Sequence, residues 1–247
     1  MKQLTVMLKP ASSLCNLRCS YCFYDDISSL REVSSFGIMT ESVARTVLDH
    51  ILTELEAGDR LTLSFQGGEP TLAGLDFYRN LTEYIKQKKT EVQIFYTIQT
   101  NGLLLNEEWC EFLTENHVLI GISCDILSQA HDHARTDEKK NGTYRRVVET
   151  IRRLTRYRVE YNVLCTLTRQ IARHPKQVWN EIKKLGIEYV QFTPCLRDLT
   201  CSKTEAFALT PERFASFYQE LFDLWYKELC DGQYRSVKLF DDLVQLL

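Results

Sequence analysis

The chain has 247 residues, which fits one large domain or two small ones. With 44% apolar and 26% charged residues it can bury a sizeable core and stay soluble, and a formal net charge of −3 asks for neither nucleic acid nor an anionic membrane as a partner. No apolar run reaches the roughly 18 residues of a membrane-spanning helix, and the opening MKQLTVMLKP has too short an apolar core, interrupted by Lys9, for a secretory signal; a cytoplasmic protein is expected.

In chain order, short β-rich runs alternate with amphipathic stretches. Residues 4–9 read as a first strand, and a long connection, 10–39, leads to a helix over 40–56 and a second strand at 61–66. A helix at 77–89, a strand at 93–99, a helix at 106–116 and a strand at 118–124 follow, with Asn106, Glu107 and Glu108 marking a helix start. A second long connection spans 125–143. Then come a helix at 144–156, a strand at 159–167, a helix at 174–185 and a strand at 189–193. A third long connection, 194–210, precedes a helix at 211–229, which Thr210 can cap and in which Pro211 suits the first position. Phe240, Leu243, Val244 and Leu247 keep helical spacing with no Gly, Asn or Pro to end it. Residues 236–247 therefore read as the start of a further region, and 1–235 as the main domain.

Six βα units imply a parallel sheet with right-handed crossovers, and strands apolar on both faces. An open doubly wound sheet and a partly closed barrel both fit. The helix-to-strand links AGDR, ENH and RYR are short, whereas the three long connections all leave the carboxyl ends of strands, where α/β sheets carry their sites.

Nine cysteines are many for a protein in a reducing compartment, and an odd number argues against a disulfide framework. Cys110, Cys124, Cys165, Cys195, Cys201 and Cys230 are scattered and read as small buried hydrophobes. The other three lie in CNLRCSYCFY, residues 15–24. Zinc would want a fourth Cys or His nearby, or three ligands and water, and the closest His is His50 in a predicted helix. A redox CxxC pair leaves Cys15 unexplained. A [4Fe–4S] cube held by three thiolates leaves one iron open to an outside chelating ligand, which explains more.

This stretch resembles the CxxxCxxC signature of the radical S-adenosylmethionine (SAM) enzymes, with an aromatic, Tyr21, before the last Cys. LKPASSLCNLRCSYCFY, SFGIMTESV, FQGGEPTLAGLDFY, QTNGLLL and FDLWY further resemble the anaerobic sulfatase-maturating enzymes, over about residues 3–247. The resemblance implies a partial (β/α)6 barrel of the radical SAM type. It implies that Cys15, Cys19 and Cys22 ligate the cluster, whose open iron is chelated by the amino and carboxylate groups of SAM. One electron then splits SAM into methionine and a 5′-deoxyadenosyl radical. Tyr21 would lie against the adenine, the backbone of Gly67, Gly68 and Glu69 would hold the methionine amino group, Ser123 would touch the cofactor, and Arg135 would pair with its carboxylate. Leu196 would make a backbone contact to adenine, and Tyr24, Gln66 and Leu164 would face the substrate peptide. Without the resemblance, GGEP is a turn, Tyr21 a packing aromatic, Ser123 a cap, Arg135 a surface residue, Leu196 core filling, and Tyr24, Gln66 and Leu164 barrel lining. The family commonly reads Ser-x-Asp-Gly-Pro after the fourth strand; here SCDIL, residues 123–127, keeps Asp125 and lacks the Gly-Pro.

The implied reaction oxidises a Cys or Ser of a sulfatase to Cα-formylglycine. The radical takes one hydrogen atom from Cβ, and a further electron and proton must leave. Complete relatives use a C-terminal cysteine-rich domain with two further clusters and an Asp as base. No matching cysteine cluster occurs in this chain, so the base is expected beyond Leu247 and no catalytic residue is assigned. A flavodoxin- or ferredoxin-like donor and an anaerobic cell complete the picture. Other peptide-modifying radical SAM enzymes, forming thioether or carbon–carbon links, and a non-catalytic iron–sulfur electron-transfer module are the alternatives. The basic span 135–158 reads as a solvated helix face, and His131 and His133 carry no assigned role.

Overall fold

The computed structural model describes residues 1–88, 90–197 and 205–246. β1 (Gln3–Leu8) is followed, inside the first long connection, by β2 (Leu17–Cys19) and α1 (Phe23–Ser29). Then come α2 (Glu41–Thr53), β3 (Arg60–Phe65), α3 (Leu75–Gln87), β4 (Gln93–Thr100), α4 (Glu107–Glu115) and β5 (Leu119–Ser123). The second long connection holds α5 (Ser128–Ala134) and β6 (Arg135–Asp137). α6 (Tyr144–Arg156), β7 (Tyr161–Leu167), α7 (Pro175–Leu185), β8 (Tyr189–Pro194), α8 (Pro211–Cys230), β9 (Ser236–Val237) and α9 (Lys238–Gln245) follow.

Seven strands form a mostly parallel sheet in the order β1-β3-β4-β5-β7-β8-β9, and β2 and β6 form a separate antiparallel ribbon. The six strands expected from periodicity are all present. The additions β2, β6 and β9 are two or three residues long, too short for an alternating pattern to announce them. α5 is not announced either, since SQAHDHA carries no apolar stripe. The expected ends at Lys89 and Leu247 lie outside the described residues.

Local chemistry sets the helix starts. Thr40, Asn106 and Thr210 each accept a hydrogen bond from the backbone N–H three residues on, at 3.4, 3.0 and 3.3 Å, and so cap α2, α4 and α8. Pro211 takes the first position of α8 and Pro175 that of α7. α6 begins and ends where its periodicity places it.

Two compact units divide the chain. The first is Met1–Asn16, Ile27–Gly121 and Thr150–Glu160. Its parallel strands pair Leu4 with Leu61 and Leu61 with Ile94, and its core holds Leu61, Leu63, Phe65 and Ile98. Tyr78 packs edge-on against Phe65 and Trp109, at ring separations of 5.0 and 5.1 Å. The expectation of strands buried on both faces fails for β1, the edge strand, where Leu4 and Met7 are exposed, and in part for the interior strands β4, β5 and β8, where Phe95, Leu119 and Tyr189 are exposed.

The second unit is Leu17–Asp26, Ile122–Glu149 and Tyr161–Leu247. β7, β8 and β9 run parallel, and Phe192 on β8 packs against Phe217 on α8 at 5.1 Å. On α9, Phe240 is buried beside Trp225, whereas Leu243 and Val244 are exposed.

Cys110, Cys124, Cys165 and Cys195 are buried, as small hydrophobes are; Cys230 is exposed at the end of α8, against expectation, and Cys201 lies outside the described residues. Burial pushes the Cys124 and Cys195 thiols up to about 12 and about 11, and that of Cys165 well above its ordinary value, so these three are poor nucleophiles. Among the described residues no helix is long and apolar enough to cross a membrane.

Candidate functional site

Cys15 stands in the first unit, and the turn after β3 clamps the backbone that leads to it. The Gly68 N–H donates to the Ser12 carbonyl at 2.9 Å and the Glu69 N–H to the Leu14 carbonyl at 2.7 Å. A Cβ on Gly67 would sit 2.6 Å from the Ser12 oxygen, and one on Gly68 2.1 Å from the Leu14 oxygen. Both glycines are therefore needed for close backbone approach, and the approaching backbone is the protein's own. Gly67 also holds a φ of 122°, which L side chains rarely adopt.

The Glu69 carboxylate points into the protein. One oxygen accepts from the Thr71 N–H at 3.1 Å, the Thr71 hydroxyl at 2.5 Å and the Thr100 hydroxyl at 2.6 Å; the other accepts from the Asn101 N–H at 2.7 Å. Burial raises its carboxyl above the ordinary range against the pull of these bonds. Glu69 thus fixes the end of β4, and Asn101, the next residue, turns its side chain toward Asn16 and Cys15. In the sequence QTNGLLL carries only a family resemblance, and Asn101 has no signal of its own.

The second unit carries Cys19 and Cys22. β2 and β6 pair Cys19 with Arg135, and the Ser20 N–H donates to the Ala134 carbonyl at 2.8 Å. The Cys22 N–H closes a turn onto the Cys19 carbonyl at 3.1 Å, and the Asp25 N–H points at the Cys22 sulfur at 3.4 Å. Tyr24 on α1 stands half-buried beside Cys22; burial, then that thiol, raises its phenol above the ordinary value.

Between Cys19 and Cys22, the Tyr21 hydroxyl donates to Asp125 Oδ2. Asp125 is fully buried, and its Oδ1 lies 3.2 Å from Arg135 Nε and accepts from the Thr166 N–H at 3.1 Å. The guanidinium donates to the Thr166 hydroxyl at 3.2 Å and lies over the Tyr21 ring at 5.4 Å. Burial opposes its charge, but Asp125 first and Tyr21 next outweigh that, so Arg135 stays cationic. Its Nε is buried without an aligned acceptor. Arg135 is thus a buried ion-pair partner and not a surface residue, and Tyr21 is tied to it.

Two further residues complete this network. Ile126, where the family has Gly, holds a φ of 63° and is fully buried. A left-handed β-branched residue costs about 1–2 kcal/mol, which burial of its side chain offsets. His131 on α5 accepts the Asp125 N–H on Nδ1 at 3.2 Å, so Nε2 carries the proton and faces the Thr143 hydroxyl at 3.1 Å; Thr143 in turn donates to the Arg135 carbonyl at 2.9 Å.

Burial lowers the His131 pKa to about 4. The unfolded chain takes up this proton below about 6.5 and the folded chain only near 4, so the contribution of His131 to stability is full above pH 6.5 and is lost as pH falls through that window. Urea unfolding between pH 7 and pH 4.5 is expected to show a loss of up to about 3 kcal/mol that a His131→Gln chain lacks.

The remaining candidates are spread out. Ser123 ends β5, and Leu164 is half-buried on β7, its carbonyl accepting from the Cys124 N–H at 3.0 Å. Gln66 follows β3 and donates to the Ser64 hydroxyl at 3.4 Å. Leu196, beyond β8, is 73% exposed, so it is not core filling. His133 stacks obliquely on Phe207 at 5.6 Å. Among the described residues of the basic span, Arg153 and Arg156 are engaged by the Leu105 carbonyl and by Glu107.

The donor set fits an iron–sulfur cluster. Cys15, Cys19 and Cys22 are half-buried thiols outside any disulfide, and N–H groups point at the sulfurs of two of them. Among the described residues no three His, Cys, Asp or Glu side chains converge to hold a single metal ion; a cube needs no such convergence, since each thiolate binds its own iron.

A family model described as the radical SAM superfamily matches residues 10–185. The cysteine-type anaerobic sulfatase-maturating enzyme of Clostridium novyi is 41% identical over 100% of this chain and 66% of its own length. The serine-type enzyme of Bacteroides thetaiotaomicron is 30% identical over 92% of this chain and 58% of its own. A solved structure described as native anSMEcpe with bound AdoMet and Kp18Cys peptide aligns with a TM-score of 0.87 and 37% identity, covering 97% of this chain and 64% of that one. The chain spans about two thirds of the length of the curated cysteine-type relatives it matches.

Proposed function

Because the chain belongs to the radical SAM superfamily and, within it, to the anaerobic sulfatase-maturating enzymes, we propose that it reductively cleaves SAM and that the whole protein oxidises a Cys or Ser of a sulfatase to Cα-formylglycine. The reading rests chiefly on one observation: the backbone clamp that the Gly67–Glu69 turn places on the stretch leading into Cys15. Cys15, Cys19 and Cys22 would hold a [4Fe–4S] cluster, which when bound supplies the electron that splits SAM into methionine and a 5′-deoxyadenosyl radical.

The chain's own residues have distinct tasks in this reading. The turn spends the N–H groups of Gly68 and Glu69 on the cysteine stretch, which leaves carbonyls to accept the methionine amino group. Arg135 is held cationic by Asp125 with an Nε that lacks an aligned acceptor, which suits it to a carboxylate. Tyr21 would flank the adenine, Ser123 and the Leu196 backbone would touch the cofactor, and Tyr24, Gln66 and Leu164 would face the peptide. Residues 1–235 would form the catalytic domain and 236–247 the start of a following region. A flavodoxin- or ferredoxin-like donor and a cytoplasmic, anaerobic setting belong to the same proposal.

Anaerobic reconstitution with iron and sulfide, then SAM, dithionite and a short sulfatase peptide holding the target Cys or Ser, tests it. Methionine and 5′-deoxyadenosine are expected. A cluster that forms yet neither binds nor cleaves SAM would refute the enzyme reading in favour of electron transfer.

A further inference from the structure

The side chain of Asn101 faces the cysteine stretch, and its orientation is over-determined. Its N–H is held by Glu69 Oε2 at 2.7 Å. Its Oδ1 accepts the Leu103 N–H at 3.0 Å. An amide oxygen cannot donate, so this bond fixes which end of the side chain is which. The Nδ2 group must then be the end that faces the cysteine stretch. It donates to Asn16 Oδ1 at 2.7 Å and reaches the Cys15 sulfur at 3.9 Å. An amide has two N–H bonds, one for each of these acceptors. All of these residues lie in the first unit.

We propose that Asn101 is a tuning residue for the cluster: its side chain donates an N–H···S hydrogen bond to the Cys15 thiolate and so raises the cluster's reduction potential. The physical reason is charge. An N–H dipole aimed at a ligand sulfur stabilises electron density there, and so favours the reduced cluster over the oxidised one. The donor is not a chance neighbour of the thiol. The buried Glu69 carboxylate holds the Asn101 backbone, and the Leu103 amide sets its rotamer, so its direction is fixed before any cluster binds. The GGEP turn would thereby act on the cluster twice, once by clamping the Cys15 backbone and once, through Glu69, by holding the donor in place. This inference rests on the cluster reading given above.

The test is a redox titration of the reconstituted 247-residue chain, followed by the electron paramagnetic resonance signal of the reduced cluster. Asn101→Asp keeps the shape and the acceptor for Leu103 but loses the donor and adds a negative charge. Asn101→Ala loses the donor without adding charge. Asn16→Ala removes the brace between the two asparagines and leaves the donor to sulfur in place. Both Asn101 variants are expected to lower the potential, cutting the reduced-to-oxidised ratio at a fixed poise about tenfold or more, equivalent to about 59 mV for a one-electron couple. Asn16→Ala is expected to leave the potential of the clusters it forms unchanged. A loop brace alone would lower cluster content and leave the potential where it was. Unchanged potentials in both Asn101 variants, or an equal drop in Asn16→Ala, would overturn the inference. Should an Asn101 variant load poorly, the potential of its loaded fraction still decides. Failure of the unsubstituted chain to form any cluster would instead refute the cluster reading on which this one depends.

Discussion

A Gly68→Ala chain is expected to keep its parallel strands and fail to load a cluster. The added Cβ would lie 2.1 Å from the Leu14 carbonyl oxygen and 2.6 Å from two carbonyl carbons of the same stretch. The atoms it meets are backbone, not the movable end of a side chain, so the stretch leading to Cys15 must be displaced. That displacement breaks the bonds from Gly68 to Ser12 and from Glu69 to Leu14. Two lost hydrogen bonds and a hard overlap make a local cost of about 3 kcal/mol or more. Iron and sulfide content after anaerobic reconstitution should fall to a small fraction of the parent's, while far-ultraviolet circular dichroism stays close to it. A fully loaded Gly68→Ala chain would show that the clamp does not position the thiol.

Removing the buried acid at the end of β5 is expected to be as damaging for a different reason. In an Asp125→Ala chain the Arg135 guanidinium, whose side chain is 10% exposed, keeps its charge and loses its counter-ion. The Tyr21 hydroxyl and the Thr166 N–H lose their acceptor as well. Breaking a buried ion pair from one side costs about 3–5 kcal/mol, whereas replacing both partners by apolar residues of similar volume is often near neutral. The urea midpoint of Asp125→Ala should therefore drop steeply, and the double substitution Asp125→Leu with Arg135→Met should recover much of the loss. A double variant as unstable as the sum of the two single ones would show that the pair is not coupled. SAM binding would remain impaired in the double variant, which separates the stability role of Arg135 from its proposed contact to the cofactor carboxylate.

These two cases mark the line between what the residues announce and what only folding reveals. Helix starts are local: Thr210 caps α8, Asn106 caps α4, and both are legible because a cap needs only its own next three residues. The six main strands are legible through their periodicity, and the two glycines as a place of close backbone approach. What closes on those glycines is not legible, since the Ser12–Leu14 backbone is distant in sequence and carries no side-chain signal for the contact. The roles of Asp125 and His131 are not legible for the same reason. Their partners, Tyr21, Arg135, Thr166 and Thr143, come from separate segments, and a buried polar network leaves no periodic trace. Arg135 on a loop reads as a surface residue until β6 pairs it with Cys19. Ile126 shows the converse. The family pattern has a glycine at this position, and here the backbone takes a left-handed angle with a branched side chain, which nothing in the residue type announces.

The clamp on the Cys15 stretch is made entirely of protein atoms, and this bears on how the polypeptide meets iron during its lifetime. Ser12 and Leu14 are gripped by a turn made much later in synthesis, so the ribosome must deliver β3 before that stretch can settle. A nascent chain that stops short of the turn after β3 therefore cannot hold the backbone around Cys15, and the thiol takes its place only once that turn exists.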